Sequence, residues 1–445
     1  MKYIIIGSGP AGLSLAYILA LNNINVELIE QDSQLGGSWN SQWKNNLYFT
    51  ENSPRVFSYT GNSMKLMKSL GFTKDDYQNI YGNFFTTNLK LLKFINKHFQ
   101  LMDYIIFLIS IIKYKFITEN ITVNEWVINS KLSLSAKKAI RIISILICDI
   151  PENTNINDFF GSISSTLPKQ MKEPNKWHRI IELFLLKKGA IIYKNTKALK
   201  LNNNNINNNI NSILVKNLIN NNEYTINCDK IFLCTQSNGL YPILKNSAIN
   251  IQNNWMPIEK MKIWHNKTFY IGFGFQLHFD KIVEFKKEWC WSCGEDWTVI
   301  ILPVSNWLKK SSKDPNIKTV WSCCIVDMDT KSKRIGKTAN QCSKSEIINE
   351  CLYQIKLVYN IPKPKIITLS DGLNKINNKW ISKNTGFTKG VYGNLNMKGK
   401  TDNLFALGCF TKNNINHVSY MVNAIDATSN YLKKYEKNIQ INIFK

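Results

Sequence analysis

No apolar run in this sequence is long enough to cross a bilayer, which takes about 20 residues. The most apolar stretch, Leu101–Phe116, is interrupted by Asp103 and Lys113, and its longest charge-free core is Tyr104–Ile112. Met1-Lys2 leads straight into the first strand-like run, leaving no room for a cleavable signal peptide. No block of five like charges occurs, although 56 Lys and Arg against 31 Asp and Glu give a formal charge of +25. That charge reads as lysine scattered through an Asn-, Ile- and Lys-rich chain, as AT-rich coding would produce, and not as a nucleic-acid tract. Ten cysteines in 445 residues do not make a secreted disulfide framework. The expectation is an intracellular, cytoplasmic protein with no nucleic-acid partner and an oligomeric state left open.

Two further absences bear on chemistry. Cys290-Trp-Ser-Cys293 has no second complete pair beside it and leads into a strand, whereas redox dithiols normally open a helix. Cys323-Cys324 or His278 are its candidate partners, but structural thiols are the preferred reading and no metal is expected. The segment Gly272-Phe-Gly274-Phe-Gln-Leu277 lacks the third glycine of a nicotinamide site and reads as a bulged strand.

What is present begins at residue 3. Tyr3–Ile6 reads as a buried parallel strand, followed by Gly7-Ser-Gly9-Pro10-Ala11-Gly12, an amphipathic run, and Val26-Glu-Leu-Ile-Glu30. Gly7 allows the tight turn, Gly9 leaves room for a pyrophosphate against the backbone, and Gly12 lets helix and strand pack closely. The phosphates would sit on amides at the helix N-terminus, where the helix dipole favours negative charge. Glu30, 18 residues after Gly12, is placed to accept hydrogen bonds from a ribose hydroxyl. Strand, helix, strand and acid in this order point to a bound dinucleotide.

A chain of this length exceeds what one core usually supports. Residues 62–170 are mostly helical in pattern: Leu89–Phe99, Leu101–Phe116, Val123–Asn129 and Ser135–Cys148. Lys176–Lys188 reads as a helix stopped by Gly189, and Ala190–Tyr193, Ala198–Leu201, Ile213–Val215 and Cys228–Cys234 read as strands. Asn202–Asn211 is a low-complexity hairpin insertion. Thr268–Phe273, Thr298–Leu302 and Val320–Asp327 are strand-like, Ser343–Leu357 is an amphipathic helix, Asn403–Gly408 a strand and Tyr420–Tyr435 a helix. Nucleotide-type pieces at 1–60, 172–245 and 396–435 are thus interrupted by residues 61–171 and 246–395, with 436–445 as a tail. The expected fold class is α/β, a Rossmann-like domain interleaved with a mixed α+β substrate domain.

These motifs in this order resemble the flavin amine oxidase superfamily, which includes monoamine oxidases, protoporphyrinogen oxidases and phytoene desaturases. The resemblance implies FAD as cofactor, held by Gly7, Gly9, Pro10, Ala11, Gly12 and Glu30. It implies a second glycine pair at Gly36-Gly37, with Ser38 and Trp39, near the flavin side of the pyrophosphate. Glu51–Arg55, including Pro54 and Arg55, would pass beside the flavin ring. Ala198 would meet the adenine and Thr235 would lie beneath the cofactor. Gly408 and Cys409 would end the terminal motif, whose helix would aim the amides near Met421 and Val422 at the flavin. Cys409 stands where the family usually has an acid on the ribityl chain, and Lys172–Trp177 replaces its Pro-Gly-Gly.

The implied activity is hydride transfer from an organic small-molecule substrate, an amine or a lipophilic polyene, to flavin N5, with oxygen or another acceptor reoxidising the cofactor. A non-catalytic FAD-binding structural or interaction protein is the first alternative, motivated by Cys409 and by the lack of a lysine that matches the one many members hold near flavin N5, and a basic nucleic-acid-associated protein the second. His417 and Trp380 are weak catalytic candidates; His265, His278 and Phe387 are others, each with core packing as the plainer reading. Leu101–Phe116 is preferred as a core helix of the substrate domain. As an interfacial element it would instead make peripheral membrane contact, with Lys113 and Lys115 near headgroups.

Overall fold

The computed structural model describes residues 1–51, 57–58, 61–80, 92–147, 150–163, 168–203, 209–268, 272–285, 292–293, 296–381, 394–412 and 420–444. Its centre is a parallel sheet of five strands in the order Leu404–Ala406, Lys230–Leu233, Tyr3–Ile6, Val26–Ile29, Ile191–Tyr193. Strands from three distant stretches of chain therefore share one sheet. Each is almost wholly apolar because both faces are covered. Alternate residues serve opposite cores, as the two-residue period requires. Tyr3, Ile5, Leu28, Phe232 and Phe405 pack with helices Pro10–Leu21, Lys176–Lys187 and Tyr420–Tyr435. Ile4, Ile6, Ile29, Ile231 and Leu404 pack with the antiparallel sheet Thr196–Asn203, Ile210–Asn217, Glu223–Asn227 and with helix Ser237–Lys245.

A second sheet is antiparallel: Ser292–Cys293, Val299–Leu302, Thr319–Ile325, Phe273–Phe279, Ile366–Leu369. Helix Lys344–Lys356, capped by Ser343 with Glu346 closing the box, shares a core with this sheet through Ile347, Cys351 and Ile355. A helical layer, Leu101–Phe116, Val123–Asn129, Leu134–Ile147 and Ile156–Ile163, is built round Phe107, Trp126, Phe159 and Phe160. The ion pair of Arg141 with buried Asp327 ties that layer to the second sheet. The α/β class with a Rossmann-like unit is as the motifs predict.

Three local expectations change. Thr268 ends a helix, Ile258–Thr268, and does not start a strand. The strand there is Phe273–Phe279, and its register against Thr319–Ile325 is continuous, so the glycine segment carries no bulge. Fully buried phenylalanines on the alternate positions 273, 275 and 279 carry that strand instead. Third, Leu101–Phe116 is a core helix on one face only. Asp103, Phe107, Ser110 and Tyr114 turn inward, while Leu101, Leu108, Ile109, Ile112 and Phe116 face solvent. Asp103 does not interrupt an apolar inner face; it anchors the layer by accepting from the amides of Gln100 at 2.8 Å and Ser133 at 2.7 Å. Among the described residues no helix is long and apolar enough to cross a membrane.

Candidate functional site: a cavity at the glycine turns

The first strand runs into Gly7, at φ +98°, whose amide donates to Ile29 O at 2.8 Å. A side chain there would press on the Cys234 carbonyl. Gly12 sits against the same turn, since a Cβ would lie 2.0 Å from Gly7 O. Gly9 differs from both: its backbone is extended and a Cβ would meet nothing within 4 Å. Helix Pro10–Leu21 starts there without a side-chain cap, with proline in its first turn. Its first-turn amides therefore face the space beside Gly9, as a helix N-terminus leaves them.

That space is a cavity of about 340 Å³. Its wall includes Gly7, Gly9, Pro10, Ala11, Glu30, Gly37, Ser38, Trp39, Ala198, Thr235, Gly408 and Cys409. Glu30 is buried, with Oε2 accepting from the Ser8 amide at 2.8 Å and hydroxyl at 2.5 Å, and Oε1 from the Asp32 amide at 3.0 Å. Burial raises its pKa above the ordinary carboxylate value and outweighs these donors, which pull it down. The second glycine pair packs on the first turn. Gly36 donates to Ser8 O at 3.0 Å, and a Cβ on Gly37 would stand 3.0 Å from Gly9 Cα.

Gly12 and Gly36 shape the wall from behind and do not line it. At Gly36, with φ +109°, a Cβ would run into the His178 ring at 2.8 Å. Met421 and Val422 are not at the cavity either. Both are fully buried, and Met421 joins the core under the parallel sheet. Tyr420 and Ala424 line the cavity instead, because residues four apart share a helix face. Pro54, Arg55, His417 and Phe387 lie outside the described residues.

Trp380 does not line this cavity. It is buried in the second core, edge-on to Phe273 at 5.6 Å, with Nε1 donating to Cys342 O at 3.1 Å. His265 bonds Ser237 O at 3.0 Å through Nδ1 and stacks on Tyr241. Burial lowers its pKa. His278 lies inside the second sheet, Nε2 3.1 Å from Thr368 Oγ1, and burial brings its pKa down to about 4. It is neutral at physiological pH. Cys323 and Cys324 are buried in strand Thr319–Ile325, with burial pushing the Cys324 thiol up to about 12. Cys290 is outside the described residues, among which no group of three or more metal-ligating side chains occurs.

Sequence reasoning missed one wall altogether. Helix Ser237–Lys245 begins at the cavity, with Gln236 as an N-cap whose side chain makes no capping hydrogen bond. Gly239 and Pro242 hide it from propensity, although Leu240, Ile243 and Leu244 carry a helical apolar spacing. In front of it Thr235 Oγ1 is buried without a hydrogen-bond partner. Burial pushes the Cys234 thiol on the same wall upward, so it is protonated.

Residues 5–70 match the family of NAD(P)-binding Rossmann-like domains. No curated protein matches the chain in sequence. An oxidoreductase from Methanosarcina mazei superposes with a TM-score of 0.64 at 12% identity, over 98% of this chain and 100% of that one. Putrescine oxidase bound to putrescine gives 0.63 at 11%, over 98% and 100%. Cyclohexylamine oxidase from Brevibacterium oxydans gives 0.61 at 10%, over 98% and 99%. At these identities what is shared is the fold. The chain thus carries a Rossmann-like segment at residues 5–70, set within a fold that it shares with the putrescine oxidase and cyclohexylamine oxidase structures.

Proposed function

We propose that the protein is an FAD-dependent oxidoreductase that oxidises an organic small molecule, an amine or a lipophilic polyene-type compound. One observation carries the cofactor assignment. The cavity joins both glycine turns, an uncapped helix N-terminus, the Glu30 carboxylate and the terminal Gly408-Cys409 junction in one wall. The residues present fit a dinucleotide. The open side of Gly9 accepts a bulky group against the backbone, and the buried Thr235 hydroxyl has a hydrogen bond to give. FAD, when bound, supplies hydride acceptance at N5 and is reoxidised by oxygen or another acceptor.

The chain's own residues bind and orient. The amides of Gly9, Ala11 and Gly12 would hold the diphosphate, with the helix dipole behind them. Three of the roughly four acceptor positions of the Glu30 carboxylate are filled by Ser8 and Asp32, leaving room for one ribose hydroxyl. Cys409 occupies the place of a ribityl-bonding acid and offers only a weak thiol. The second sheet and the helical layer would carry the substrate and keep water from it. The names of the structural relatives favour an amine, since putrescine oxidase and cyclohexylamine oxidase are among them.

The test is spectroscopic. Purified protein is expected to be yellow or to become so with added FAD, and the colour to bleach anaerobically with one member of a panel of amines and polyenes. No flavin bound under either condition overturns the assignment. Flavin that binds and never bleaches favours the non-catalytic alternative, for which Cys409 and the unmatched lysine are the motives.

A further inference from the structure

Helix Leu101–Phe116 is apolar on both faces, unlike a surface helix of a soluble protein. Its polar groups Asp103 and Ser110 are buried, and its outward arc is wholly apolar. Leu101, Met102, Ile105, Leu108, Ile109, Ile112 and Phe116 are each 42–79% exposed. At 3.6 residues per turn they fill one continuous arc of about 120°. Leu134 extends the patch beside the helix start, where Ser133 is bonded to Asp103. Contiguous exposed apolar surface on this scale marks an interaction site.

We propose that this face docks on an anionic lipid bilayer, with the helix lying in the plane of the headgroup–acyl boundary. Charge supports the choice. Residues 92–138 contain seven lysines against Asp103, Glu119 and Glu125, and Asp103 is buried. Lys113, ion-paired with Glu119 at 2.7 Å, borders the arc, and Lys93, Lys97, Lys131 and Lys138 are exposed on the neighbouring segments. An apolar stripe flanked by lysines is the pattern of an interfacial helix, and basic side chains add attraction to anionic headgroups. A second copy of the chain fits less well. Protein interfaces carry about one hydrogen bond per 100–200 Å², and the arc offers no side-chain donor or acceptor. Two chains of charge +25 also repel. The docking face stands independently of the flavin assignment.

Flotation of the full-length protein with vesicles of phosphatidylcholine, alone or mixed with phosphatidylserine, tests this. The protein is expected to float with the mixed vesicles and to detach as salt rises. I109S/I112S, which alters only solvent-facing side chains, is expected to lower partition about tenfold or more. K97E/K131E should weaken binding to the mixed vesicles by about fivefold or more per lysine, with circular dichroism and thermal midpoint as folding controls. Wild-type protein that stays behind with mixed vesicles at low salt overturns the proposal, as does folded I109S/I112S that floats undiminished. Sedimentation showing a dimer that I109S/I112S dissociates, with vesicle partition unchanged, assigns the face to a second copy instead.

Discussion

One carboxylate oxygen of Glu30 accepts both the amide and the hydroxyl of Ser8, at 2.8 and 2.5 Å. The end of the second strand is thereby clamped to the first glycine turn, and the cavity wall is set before any ligand arrives.

The clamp has a pH signature. Burial raises the folded-state pKa of Glu30 above its ordinary value of 4.5, so the folded state favours the protonated form. The contribution of this group to stability is complete below the unfolded pKa and falls as pH rises through the raised folded one. Urea unfolding over a pH series should show that fall in wild type and lose it in Glu30→Gln; parallel profiles would remove the assignment. Glu30→Ala should also weaken FAD binding by about threefold to tenfold, as loss of one hydrogen bond does.

Gly9 and Gly12 separate cofactor binding from folding. Gly9→Val points its side chain into the cavity, so flavin content should collapse while the thermal midpoint changes little. Gly12→Val drives a Cβ into Gly7 O and should cost about 3 kcal/mol or more in urea unfolding. Retained flavin in folded Gly9→Val would show that this turn is not where the diphosphate sits.

His278 should shape acid stability. Its pKa of about 4 lies below the ordinary 6.5, so its contribution is complete above pH 6.5 and is lost as pH falls through 4. The span corresponds to about 3 kcal/mol. Unfolding free energy between pH 7 and about 4 should fall less steeply in His278→Gln. A titration of the His278 ring followed by NMR with a midpoint near its ordinary value would contradict this.

Trp380 should behave as a packing residue. Trp380→Ala removes a buried ring and its bond to Cys342 O, at about 3–5 kcal/mol by chemical denaturation. The flavin stoichiometry of the remaining folded protein should not change; selective loss of cofactor or turnover with stability intact would return Trp380 to the substrate site.

Much of the architecture could be read residue by residue. Tyr3–Ile6, Val123–Asn129 and Tyr420–Tyr435 match their sequence expectations at both ends, because apolar period and breakers agree there. Thr196–Asn203 and Ile210–Asn217 run further into the Asn-rich insertion than composition suggests, because hairpin pairing supplies backbone bonds that asparagine propensity does not disfavour enough to prevent. In the site, Glu30 and the glycines follow from local spacing. Tyr420, Ala424 and the start of helix Ser237–Lys245 do not, since their place at the cavity depends on which face of each helix meets the sheet.

The linear order of residues was enough to specify the strand–turn–helix–strand that opens the chain, because that unit is stabilised by neighbours within thirty positions. Only the folded molecule decided that residues near 198, 235, 408 and 424 border the same cavity, since that depends on parallel pairing between strands hundreds of positions apart. It also decided which side of Leu101–Phe116 meets water. Asp103 is drawn inward by the Gln100 and Ser133 amides, and the wholly apolar side is left outside.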